Sequence, residues 1–289
     1  MEDWRGWGAD TAWAYFEVYR PTFDIWISIV TGDVRLDWSK YPNADEYKVY
    51  RSTNDPYFSP SAPPLTTTTD TFFTDAASHT GDTLNQSYYI VEAIESGSVV
   101  HTYGTVGEFD YPLYEGAGFA TDANWVGLVL FNDDILMASQ LGSDIPFCTA
   151  VSLWDVNEQT FVNSCVRLGL FWIGDYTLNI GYPYQVNVPT DEIYTLVGKV
   201  PPSWQVHIYP STGTDQNVIV LPLDATVTTA AELGASITGC TAVSVWDPVT
   251  QQVGRSCVYI AGLGFWIGNF SVHPGGVYLI NATEEVIWP

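Results

Sequence analysis

Apolar and polar residues alternate along this chain in short runs that end at Gly, Pro, Asn or Asp. This is the period of strands, and no long helical period competes with it. Val34, Leu36 and Trp38 fall on one face of such a run, and Tyr47, Val49 and Tyr50 open the next. The stretch "TAWAYFEVY" at 11–19 sets Trp13, Tyr15 and Glu17 on one side and Ala14, Phe16 and Val18 on the other. Both faces of that strand are therefore apolar, as in a strand covered twice. Two brief helical stretches, "MASQLGSD" at 137–144 and "TAAELGAS" at 229–236, interrupt the pattern. The prediction is an all-β fold carrying short helices.

The octet "CTAVSLWD" at 148–155 returns as "CTAVSVWD" at 240–247, and "FWIG" recurs at 171–174 and 265–268. A repeat of this length marks a duplicated building block. It divides the chain into an N-terminal arm (1–20), a first unit (21–110) and two homologous modules (111–200 and 201–289). Folding the hairpin of the first module about Val156 and Asn157 sets Cys148 opposite Cys165. Folding the second about Pro248 and Val249, in the turn sequence "DPVT", sets Cys240 opposite Cys257. Opposed strand residues lie within disulfide reach, so two disulfides are expected, each stabilising by about 3 kcal/mol. Zinc binding and free buried thiols remain as alternatives, although structural zinc sites favour cysteines two to four apart. Disulfides would imply an oxidising compartment. On the cysteine face, Trp154 and its counterpart Trp246 are expected to fill the module cores.

The run "GDVRLDWSKYPNADEYKVYRSTNDPYF", with Trp38 in its core face, resembles the first half of a fibronectin type III domain. "YYIVEAI" is similar to the sixth strand of that fold, with Tyr89, Val91 and Ala93 in its Tyr-x-Val-x-Ala pattern. The resemblance implies a β-sandwich over 21–110 whose Tyr89 hydroxyl closes a tyrosine corner. It also implies a spacer or binding platform. "VYRSTNDPYF" resembles the variant found in secreted and surface proteins of environmental bacteria. The two modules resemble C-terminal tandem repeats of large bacterial secreted proteins, a likeness that implies no activity.

Charge narrows the partners. The 289 residues carry 33 acidic against 9 basic side chains, a net charge of −24. Nucleic acid and anionic membrane surfaces would repel such a protein, and no apolar run is long enough to span a membrane. No cofactor is expected; Ca²⁺ is the cation an acid surplus suits, although no Asp-x-Asp-x-Asp-Gly loop is present. The start "MEDWRGWGAD" has acids where a signal peptide has bases, so a trimmed terminus or a piece of a longer chain is expected, with Met1 added to the natural chain. The four histidines, His79, His101, His207 and His273, stand at no metal-ligand spacing, and no nucleophile or phosphate motif occurs. Trp4, Trp7, Trp204 and Trp288 have no counterpart between the modules and are the candidates for stacking on sugar rings.

The expectation is a non-catalytic extracellular structural protein, a surface stalk or adhesin, or a filament subunit. Its copies would join head to tail through Trp13, Tyr15, Phe16 and Val18, or it would bind other surface proteins. The alternative is a carbohydrate- or protein-binding region of a secreted enzyme.

Overall fold

The computed structural model describes residues 24–61, 63–115, 123–211 and 216–288. The assembly strand (Trp13, Tyr15, Phe16, Val18) and the aromatics Trp4 and Trp7 lie outside the described residues.

The first seven strands are β1 (Ile25–Val30), β2 (Asp33–Trp38), β3 (Glu46–Thr53), β4 (Thr66–Thr68), β5 (Phe72–Asp75), β6 (Ser87–Glu95) and β7 (Ser98–Leu113). The next unit holds β8 (Asn124–Gly127), α1 (Ala138–Asp144), β9 (Ala150–Asp155), β10 (Thr160–Leu168), β11 (Phe171–Ile173), β12 (Pro183–Asn187) and β13 (Glu192–Lys199). The last holds β14 (Val206–Ile208), β15 (Asn217–Val220), α2 (Ala230–Ser236), β16 (Cys240–Asp247), β17 (Gln252–Ile260), β18 (Phe265–Ile267), β19 (Val277–Ala282) and β20 (Val286–Trp288).

A three-stranded sheet, β1-β2-β5, faces a five-stranded sheet, β13-β7-β6-β3-β4, to make a sandwich. Alternation supplies its core: Ile25, Val34, Leu36 and Trp38 point in from one layer, Tyr47, Val49, Tyr89, Val91, Tyr103 and Val106 from the other. The Tyr89 hydroxyl does not close on backbone as a tyrosine corner would. It donates to Asp75 Oδ2 at 2.9 Å, which also takes Arg51 Nη1 at 2.7 Å. That carboxylate is buried, and the guanidinium and phenol satisfy it.

The sandwich does not end where the first unit ends. β7 runs for 16 residues, and its second half pairs from Val106 to Leu113 with β13, which belongs to the next unit. One strand thus serves two units, and the seam between them is a hydrogen-bonded ladder.

Beyond β7 the fold repeats itself. The sheets β11-β10-β9-β12-β8 and β18-β17-β16-β19-β15 have the same order, strand for strand. Each has its seven-residue helix before the cysteine strand. Thr229 and Glu232 form a capping box on α2, and Gln140 answers from its side chain on α1. Each repeat is also closed alike. Asn124 grips both backbone groups of Tyr114, as Asn217 grips those of Tyr209. The closing strands bring Tyr194 to Asp144 at 2.8 Å and Trp288 to Ser236 at 2.9 Å, at matching ends of the two helices.

Candidate functional site

The cysteine hairpins close by a longer route than a two-residue turn. In both repeats the loop takes four residues, since Asp155 pairs with Thr160 and Asp247 with Gln252. The aspartate caps the loop, Asp155 accepting from Asn157 and Glu158, and Asp247 from Val249 and Thr250. The loop's last residue turns left-handed, at φ 52° for Gln159 and 56° for Gln251. A bulge follows in each hairpin. Cys165 therefore lies opposite Val151, and Cys257 opposite Val243.

The expected disulfides are corrected accordingly: Cys148, Cys165, Cys240 and Cys257 are free, buried thiols. Each pair still shares one core. Burial pushes Cys148 and Cys165 up to about 11 and Cys240 to about 12, and it raises Cys257 as well. Such thiols stay protonated at neutral pH and act as small apolar side chains. The native protein should react with a thiol reagent far more slowly than free cysteine, and the denatured protein should release all four sulfhydryls. Two sulfhydryls, or none, after denaturation without reductant would restore the cross-links. With free thiols, cysteine usage no longer argues for an oxidising compartment.

The duplicated tryptophans do not fill the module cores as expected: Trp154 and Trp246 stand half-buried outside both core clusters. Trp154 Nε1 donates to Gln216 O at 3.1 Å, and Trp246 Nε1 donates to Ala123 O at 2.8 Å. Gln216 and Ala123 occupy the same place before β15 and β8, so each repeat gives and receives the same bond. Gln159 and Gln251 likewise reach across, to Pro210 O and from Ala123 N. Gly127 and Val220 end β8 and β15 and touch each other: a Cβ on Gly127 would stand 2.6 Å from a Val220 methyl carbon. Contacts that map onto themselves when the copies are exchanged define an isologous, pseudo-two-fold pairing. The two modules are joined side by side about an axis.

Two of the proposed stacking aromatics are taken by this architecture. Trp288 is 6% exposed and sits in the core of the second module. Trp204 packs against the cores of both modules, with Gly181 beneath its ring. Trp288 therefore presents no face to solvent, while Trp204 is half-buried. Trp38 and Tyr89 are buried in the sandwich as expected of structural residues.

Among the described residues the titratable groups do not converge on an open site. His207 bridges Glu285 (2.8 Å) and the Tyr209 hydroxyl (3.1 Å) on the surface strand β14. His79 Nδ1 lies 3.0 Å from Ser87 Oγ. Among the described residues no group of three or more His, Cys, Asp or Glu could hold a metal ion. Among them too, no helix is long and apolar enough to cross a membrane.

One polar pair escaped the sequence reading. Glu108 and Asp110 stand two apart on β7 and share a face, with exposures of 0% and 2%. Glu108 Oε1 accepts from Ser87 N at 2.7 Å, and Asp110 accepts from Gly81 N, at 2.7 Å, and from Thr195 Oγ1. No donor reaches Glu108 Oε2, which is buried, and a hydrogen bond between the two carboxyl groups links Glu108 to Asp110. Burial, and then the neighbouring Asp110, push Glu108 up to about 8, and burial raises Asp110 too. Paired carboxylates of unequal affinity are the equipment of an acid–base catalyst, but this pair is sealed from any substrate. The signal was two acids inside the apolar run "GEFDYPL".

What the fold leaves open is apolar and is presented twice. On the β10–β11 ladder, Leu168 pairs with Phe171 and Val166 with Ile173. All four are exposed, Phe171 at 73%. On β17–β18 the counterparts are Ile260 with Phe265 and Val258 with Ile267, of which Phe265 and Ile267 are 48% and 47% exposed. Both ladders end on an edge strand. Apolar patches of this kind mark sites of protein contact. No protein-family model matches the chain, and neither a curated protein nor a solved structure matches it.

Proposed function

We propose that this chain is a non-catalytic structural protein of an extracellular surface, a stalk or adhesin segment or the subunit of a filament joined through its N-terminal strand. The observation that carries the reading is the fused build. β7 serves two units, and the repeats grip each other through reciprocal tryptophan bonds. Such a build resists separation of its parts, and its buried carboxylates and thiols are sealed away from chemistry. The fibronectin type III likeness of the first unit, a spacer module in other proteins, points the same way. Secretion by a bacterium rests on that likeness too.

The test is electron microscopy of the full chain beside a chain lacking residues 1–20. Full-length protein should form polymers, favoured by salt because copies of net charge −24 repel one another, and the shortened chain should not. Equal particle size for both would remove the filament version.

A second reading, a binding region of a larger secreted protein, is favoured by the twin apolar ladders. Their exposed aliphatic and phenyl side chains suit a protein partner, and Trp288, being buried, is no longer available for stacking on a sugar.

A further inference from the structure

Cross-strand partners trace one face of each module sheet from end to end. In the second module Val218 pairs with Leu279, Leu279 with Ser244, and Ser244 with Ser256, so these four side chains form one row. The row lies on the face turned away from the cysteines. Val218, Leu279 and Ser244 are buried, yet they stand outside the core cluster of their own module. Val220, on the same face of β15, belongs to the core that holds Cys148 and Cys165, and Val277 of β19 packs against that core. Cover for this half of the face thus comes from outside the module, with Gly127 of β8 against Val220. It ends at Ser256, which is exposed although its hydroxyl lies 2.8 Å from that of Ser244. Beyond Ser256 the same face continues as the Val258–Ile267 and Ile260–Phe265 rungs.

The first module repeats the arrangement. Trp125, Gln185 and Ser152 make a half-buried row, and Ser152 meets the exposed Ser164 at 2.9 Å. There the face opens onto the Val166–Ile173 and Leu168–Phe171 rungs. Trp154 and Trp246, whose bonds cross between the modules, lie on this face too, two residues on from Ser152 and Ser244. The open ladders are therefore the uncovered halves of the faces by which the modules already hold each other.

Charge marks the same ground. Residues 160–174 and 252–268 contain no Asp or Glu, in a chain with 33 acids among 289 residues. Each stretch has one base, and alternation places Arg167 with Cys165 and Arg255 with Cys257 on the opposite face. Arg255 lies there 5.2 Å from the centre of the Phe270 ring. The open face of each ladder is uncharged, with Leu170, 89% exposed, and Leu263 at the turns. Copies of net charge −24 can meet here without bringing acids together.

We infer that the ladders are a self-association surface, on which β10–β11 of one copy is covered by β17–β18 of a second copy. This pairing extends the contact that the unlike modules make within one chain, which is the cover the structure shows for this face. One segment of the chain's own could serve one ladder, whereas a second copy carries a match for each. The inference rests on the reading of the ladders as a site for protein, and it names the protein.

The test is sedimentation velocity of the full chain over a hundredfold range of concentration, in salt high enough to screen repulsion between copies. The mass of the native protein should grow with concentration. Phe171→Asp and Phe265→Asp, at exposed positions, should each weaken association at least about tenfold. Mixed in equal amounts, the two variants should recover a dimer and nothing larger, because the mixture holds one intact ladder of each kind. Leu84→Asp, exposed on the first unit, should change nothing. If either phenylalanine variant fails to fold, Leu170→Asp and Leu263→Asp take their place.

Association retained by each variant alone, or no dimer in their mixture, would overturn the pairing of unlike ladders. Association that ignores these substitutions and is lost with residues 1–20 would keep the filament reading and remove this site. Native protein that stays monomeric would overturn the second copy. In that case an apolar dye bound by native protein and lost from both variants would keep the ladders as a surface for another protein. Binding to phosphatidylcholine vesicles would instead give them to lipid, and neither response would remove the reading itself.

Discussion

Glu108→Gln is expected to remove most of the alkaline sensitivity of the fold. In the folded chain Glu108 is raised from the ordinary 4.5 to about 8 by burial, then by Asp110. The native state therefore holds a proton that the unfolded chain gives up near 4.5. This contribution is complete below the ordinary carboxylate range, and it is lost as pH rises through the folded value near 8. At 1.36 kcal/mol per pKa unit the loss is on the order of 3–5 kcal/mol. That corresponds to a fall in Tm of roughly 5–10 °C between pH 5 and pH 9. Self-repulsion at a net charge of −24 acts in the same direction. The comparison that isolates Glu108 is thus between native protein and variant, by differential scanning calorimetry across that range. Two parallel curves would show that the buried carboxyl does not govern the loss. The effect should reach past one unit, because Glu108 lies on the stretch of β7 paired with β13.

Gly142→Ala and Gly234→Ala should each destabilise the protein, against the usual helix preference for alanine. Alanine in a helix interior gains about 1 kcal/mol over glycine. Here a Cβ on Gly142 would stand 2.4 Å from Trp172 Cη2, and one on Gly234 would stand 2.3 Å from Trp266 Cη2. The tryptophan of each "FWIG" strand lies flat on the helix at that point, and nothing shorter than a ring displacement makes room. The expected net cost is about 1–3 kcal/mol per site. Gly262→Ala, with open space around its Cβ, serves as the neutral comparison. Trp266→Leu in the Gly234→Ala background should recover part of the loss. Chemical denaturation of the variants measures both. An unchanged or raised midpoint for either glycine variant would mean that the ring shifts freely and the contact holds nothing.

The strands and the duplication were legible because alternation and repetition are local properties of the chain. The aspartate-led turn was legible for the same reason: Asp247 caps its loop whatever the rest does. The cysteine pairing was not legible, since it depended on register over a whole hairpin. Register was set by Gln159 and Gln251 in left-handed conformations that usually belong to glycine or asparagine. A bulge then moved the far strand again. Glutamine at those positions gives no sequence signal for either event.

Trp154 and Trp246 were assigned to the cores of their own modules because their positions matched. Matching positions also arise when two copies make the same contact with each other, and a single chain cannot separate these cases by pattern alone. Trp288 looked unmatched because its counterpart is Tyr194, a different aromatic doing the same closing work.

The exchange of identical bonds between the halves has a consequence for dilution. Free partners of this kind would drift apart whenever their concentration fell below their affinity. Carried on one chain, each half meets the other at a fixed local concentration, in the millimolar range for short connections. The paired halves therefore remain closed in the most dilute solution, and any oligomer that forms adds to a pair already made.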